Sequence, residues 1–93
     1  MKASGIVIRV LADDLKGSRH QKFVVRIKSG KEILIVHNID IAPRINGLKK
    51  GDKIEFLGDY QWNSQGGMVH WTHADPHQQH QSGWIKYHGE TYQ

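Results

Sequence analysis

Residues 21–28, QKFVVRIK, put Phe23, Val25 and Ile27 on one parity and Val24, Arg26 and Lys28 on the other. Successive side chains of a strand point to opposite faces, so this alternation predicts a half-buried strand. GIVIRVL at 5–11 alternates more loosely, but its β-branched residues predict another strand. Ser29-Gly30-Lys31 is a tight connection into EILIVHNI, so the second and third strands read as a hairpin. In IAPRINGLKKGD, Pro43 and Gly47 argue against a long helix and leave an irregular connection or a single turn. KIEFLGDYQW follows, with Ile54 and Phe56 inward and Gly58 marking a bulge or sharp bend. Residues 63–67, NSQGG, close a further hairpin into MVHWTH.

The segment MVHWTHADPHQQHQSG at 68–83 holds four of the seven histidines. Their spacing of three, four and three would align them on one helix face, but Pro76 would then sit in the helix interior. A split reading fits better. Residues 68–73 form a strand with His70 and Thr72 on one face and Trp71 and His73 on the other. Asp75-Pro76 then starts a short helical turn near residues 75–82, with the carboxylate as N-cap, and Gly83 ends it. Trp84 opens a last strand, and His88-Gly89 turns a small C-terminal hairpin flanked by Tyr87 and Tyr92.

These elements predict an all-β chain: a five-stranded OB-like Greek-key barrel forming a single domain over 1–93. The phrase Leu48-Lys49-x-Gly51-Asp52-x-Ile54-x-Phe56 favours the OB architecture over its rival, an SH3-like barrel. No apolar run is long enough for a membrane span. MKASGIVIRV lacks a signal peptide's apolar block, so the chain reads as soluble and cytoplasmic as given, or exported if a leader has been removed. The chain has no cysteine, so any metal would have to use histidine and carboxylate. A net charge of +4 favours an anionic partner, chiefly nucleic acid.

Candidate chemistry concentrates in a few places. His20, His73 and Asp75 are the residues for proton transfer on a phosphodiester, with Arg19 or Arg44 as a phosphate clamp. The sequence establishes no cofactor, but a divalent ion, Zn or Mg, fits a set drawn from His73, Asp75, His77 and His80. His70-Trp71-Thr72 is one H-x-T unit, whereas two-histidine phosphoesterases use two. Trp62 and Trp71 are candidate base-stacking platforms, although at least two of the three tryptophans should be structural. Asn38 and Asp40 are natural turn residues; Asn38 and His70 could also face a ligand, and Asp40 could orient a histidine. For any one of these histidines the plain alternative is a satisfied loop or surface residue.

The phrases GSRHQKF, HNIDIAPR, GDYQWN, HWTHADP, the GW pair and the TYQ ending resemble the bacterial domain-of-unknown-function (DUF) family 3465. These are small proteins that often carry an exported leader, and the resemblance runs from about Gly5 to Gln93. The resemblance implies an OB-like barrel and brings no agreed activity. In that family HWTHHDP is usual, so Ala74 replaces a histidine, and His77 stands where a basic residue is common. Both departures weaken a metal site that needs an imidazole at 74.

The favoured expectation is therefore an OB-fold binding module for nucleic acid, single-stranded in particular, or another anionic ligand. The alternative is a small phosphodiesterase or nuclease with a His/Arg/Asp site, metal-assisted or not. A structural or interaction protein is the third reading.

Overall fold

A computed structural model describes every residue except Pro76, Gln78 and His80. The protein is all-β, with strands β1 (Lys2–Val10), β2 (His20–Ile27), β3 (Glu32–Asn38), β4 (Lys53–Leu57), β5 (Asp59–Gln61), β6 (Met68–His70), β7 (Trp84–Tyr87) and β8 (Glu90–Tyr92). They form one mixed sheet in the order β5-β6-β3-β2-β1-β4-β7-β8. Every neighbouring pair is antiparallel except β3 with β6.

Alternation sets what each strand buries. Phe23 and Val25 of β2 pair in register with Ile35 and Ile33 of β3, and all four are fully buried. Val7, Ile54, Phe56, Val69 and Ile85 complete the apolar centre from the other strands. Each such side chain contributes about 1.5–3 kcal/mol by leaving water. The same parity carries two polar residues inside. Gln21 and His37 are cross-strand partners at the end of the β2–β3 hairpin, and both are buried.

Gly58 is the bend expected from the sequence. β4 pairs with β1 and, one residue later, β5 pairs with β6. A Cβ at this position would stand 2.6 Å from the His70 carbonyl oxygen and 2.6 Å from Val69 Cγ1. Only a residue without a side chain lets the chain cross there.

The connection 39–52 has no regular structure, yet it is firmly held. The Gln21 amide donates to the Ile45 carbonyl at 2.8 Å and accepts from the Ile45 N–H at 2.9 Å. That pair of bonds seats the Ile45 side chain in the core. The Tyr87 hydroxyl reaches Asp52 at 2.7 Å and the Gly47 carbonyl at 3.2 Å. Hydrogen bonding to Asp52, then desolvation, pushes the Tyr87 phenol up to about 12.

Three expectations are corrected. The sheet has eight strands rather than five, because Gly58 divides one run in two and the C-terminal hairpin of β7 and β8 joins the same sheet. No helix occurs among the described residues, so the helical turn near 75–82 is not formed by them; Pro76, Gln78 and His80 lie outside those described. Asp75 still accepts the His77 N–H at 3.0 Å, the bond of a local Asx turn. The strand expected over 68–73 stops at His70, since Trp71 takes a left-handed φ of 61°. That reversal breaks the alternation, and Thr72 and His73 both turn inward. The excursion that follows closes on itself, with the Gly83 N–H donating to the His73 carbonyl at 2.8 Å. A Cβ on Gly83 would collide with the backbone of Trp71 and Leu57.

No helix among the described residues is long and apolar enough to cross a membrane.

Candidate functional site

The histidine-bearing segments meet at one end of the sheet. His37, at 0% exposure, is the centre of that end. Its Nε2–H donates to the Pro43 carbonyl at 3.0 Å, since a carbonyl can only accept. Nδ1 therefore carries the lone pair and accepts the Thr72 hydroxyl at 2.8 Å. Burial holds this imidazole below its ordinary value and so neutral. The Pro43 carbonyl opposes that shift, while the charges of His73 and His20 add to it. His20 sits opposite Asn38, next to His37 in β3, and His73 follows Thr72. The first loop and the segment after β6 thus reach the same end of the fold.

His20 and His73 are oriented alike. Nδ1–H donates to the Ser18 carbonyl at 2.8 Å in one and to the Ala74 carbonyl at 2.8 Å in the other. When either ring is neutral, its lone pair is therefore on Nε2, the form of a general base or a metal ligand. His73 is buried, and its ring stands 5.8 Å from that of Trp71. Among the described residues, no group of three or more His, Asp or Glu is placed to hold a metal ion. Of the set His73, Asp75, His77 and His80, the last lies outside the described residues and His77 is exposed.

The two arginines are tied to carboxylates of the chain itself. Arg19 donates to Asp40 through its backbone N–H at 2.8 Å and through Nε at 2.6 Å. Those bonds, the backbone one first, keep the Asp40 carboxyl below its ordinary range. Asp40 therefore grips an arginine rather than orienting a histidine. Arg44 Nε and Nη2 grasp Asp13 at 2.7 and 3.3 Å, and Nη1 donates to Asn46 at 3.0 Å. Arg44 is thus committed to joining the first loop to the connection 39–52. Asn38 accepts the Asp40 N–H at 2.9 Å, which is a turn bond. His70 faces Asp59 across β5–β6, with Nε2 3.3 Å from Oδ2. That approach lacks hydrogen-bond geometry and leaves the buried Nε2 without one.

A second region of interest lies on the outer face of β1, β2 and β3. Ile8, Leu11, Val24 and Leu34 line a groove of about 370 Å³ together with one cation, Arg9, and one acid, Glu32. The β5–β6 loop, through Asn63, Gln65 and Gly67, forms a wall. That loop is built rather than loose. The Asn63 side chain accepts the N–H groups of Gln65 and Gly67, both at 2.9 Å, and the Leu34 N–H donates to Gly67 at 3.1 Å. Trp62, beside Asn63, is 75% exposed, whereas Trp71 and Trp84 are half-buried. The groove escaped the reading of the sequence. Its signal was there: Val24 and Leu34 are apolar on a parity that a half-buried strand gives to polar residues.

A family model described as "Protein of unknown function (DUF3465)" matches residues 1–93. The chain belongs to that family. The resemblance noted in GSRHQKF, HNIDIAPR and HWTHADP is thereby established over the full length of the DUF3465 match. No curated protein matches the chain, and no solved structure does. The description assigns no activity, so function rests on the geometry above.

Proposed function

We propose that the protein is an OB-like binding module for single-stranded nucleic acid. Two features support the OB-like part. The ribbon β5-β6-β3-β2-β1-β4 begins and ends on halves of one chain run, parted only by Gly58, as a rolled sheet requires. The five runs so counted match the number in an OB barrel, with β7 and β8 appended. OB folds take oligonucleotides on the strand 2–3 face between the first loop and the loop joining strands four and five. The observation that carries the reading is the groove of about 370 Å³ in that position, lined largely by apolar side chains, with the exposed Trp62 next in the chain to its lining residue Asn63. Bases stack on such aromatic and aliphatic surface, and the net charge of +4 suits the phosphates.

Fluorescence anisotropy with labelled oligo-dT and oligo-U tests the proposal. Binding should weaken steeply with salt and fall when Leu34 is replaced by Glu. Affinity that is indifferent to both would end it.

A phosphodiesterase or nuclease is the second reading, favoured by the shared tautomer of His20 and His73, each with an Nε2 lone pair. It predicts cleavage of nucleic acid that His73→Ala abolishes while the fold persists. Cleavage surviving both that change and EDTA would not belong to this protein.

A further inference from the structure

The groove of the proposed function does not stop at β1. Ile8 lines it and also lines a neighbouring hollow of about 500 Å³ bounded by Arg26 and Lys28. That hollow shares Ser4, Gly5 and Ile6 with a third, of about 630 Å³, which runs on to Lys53, Lys86 and the 88–89 turn. The three are consecutive along the outer face from β3 to β7.

Most of the charged residues lining this extension are cations. Ile6, 38% exposed, faces outward between its cross-strand partners Arg26 and Lys53. Lys28, Lys53 and Lys86 have no carboxylate within ion-pair distance among the described residues, whereas Arg26 is paired with Glu32 at 2.8 Å. Glu55 is the one acid lining this stretch. Lys2 and Lys86 hold their ammonium groups 5.8 and 4.6 Å from the Trp84 ring, so the far end joins cation to aromatic surface. From β2 to β7 is three strand steps, about 14 Å.

We infer that a bound single strand continues from the first groove over Gly5 and Ile6, with its phosphates on Lys28, Lys53 and Lys86. This rests on the proposed function and extends it from a pocket to a track. A lipid surface carries the same anionic chemistry, but the shared lining residue Ile8 makes this stretch continuous with the first groove, and that continuity favours the strand proposed to lie there. Lysine suits the task, because its flexible ammonium serves as a point charge against a backbone of no fixed geometry.

The experiment compares oligo-dT of about 5 and about 15 nucleotides, lengths near the two ends of the OB-fold site sizes. Binding is measured by anisotropy across a salt series for the wild type, Lys53→Glu/Lys86→Glu and Ile6→Glu. All three substituted positions are outward-facing, so thermal midpoints should stay within about 2 °C of wild type. The short oligonucleotide should bind all three proteins within about twofold. The long one should lose on the order of 10- to 100-fold in the charge reversal, and its salt slope should shrink by about 1.4, or 0.7 per lost phosphate contact. Ile6→Glu should likewise weaken only the long one.

Equal losses at both lengths, or none at either, would overturn the track and leave the first groove standing. Wild-type protein binding neither oligonucleotide would remove the track together with the proposed function. Capture on phosphatidylserine vesicles that is lost in the charge reversal, with oligonucleotide binding unchanged, would overturn it in favour of a membrane surface.

Discussion

The interior end of the sheet and its outer face treat polar groups in opposite ways. Inside, Gln21, His37 and Thr72 are buried, and each spends its side chain on a named partner. Outside, Val24, Leu34 and Ile6 face toward water while Lys28, Lys53 and Lys86 lack carboxylate partners among the described residues. Buried polar groups cost stability unless bonded, so a satisfied interior seam reads as construction. Apolar surface beside unneutralised charge has no such explanation within the fold, and reads as a place for a ligand. The histidine-rich segment drew attention by composition, yet its Thr72 and His73 are buried and bonded within the chain.

Substitutions on the two sides should separate cleanly. The largest effect is expected inside, from Gln21→Ala, which strands the N–H and C=O of Ile45 and should cost about 3 kcal/mol. Urea denaturation should register that loss as a lower midpoint with an unchanged slope. Outside, Trp62→Ala should weaken oligonucleotide binding by about 2 kcal/mol, or roughly 30-fold, with no change in melting. A drop in melting temperature there would mean that Trp62 belongs to the fold. Thr72→Val keeps the shape but removes the donor to His37 Nδ1, and should cost about 1 kcal/mol, with Thr72→Ser restoring most of it.

The smallest effect concerns pH. The folded state holds His37 below the ordinary imidazole value of 6.5, so between 6.5 and the lowered value the unfolded chain binds the proton and the native one does not. Stability is complete above that window and declines as pH falls into it. Melting temperature should therefore drop from about pH 7 to about pH 5. His37→Gln should flatten that dependence, and an unchanged slope would mean that another group governs it.

Much of the fold was legible from short-range rules. Gly58 announced the bend because a glycine inside an alternating strand has few other uses, and Ser29-Gly30-Lys31 and His88-Gly89 announced their hairpins. The left-handed turn at Trp71 was not legible. Tryptophan does not favour positive φ, and the close passage of Gly83 against the Trp71 carbonyl joins residues far apart along the chain. Gln21 and His37 stood in plain view on the parity of Phe23 and Ile35, but polarity masked their inward direction. Arg19 and Arg44 looked like phosphate clamps because their carboxylate partners, Asp40 and Asp13, lie 21 and 31 residues away along the chain. The outer groove was hidden for a related reason. It exists only once three strands and a distant loop are side by side.

The clasp between Gly83 and His73 has a practical meaning. Because Gly83 bonds back to His73, the sequence between them is tied to the sheet at one closed neck. Insertions there should leave β6 and β7 in place. That makes this excursion the natural place to graft a tag, a reporter or a new binding sequence, provided the glycine and the residues at the neck are kept.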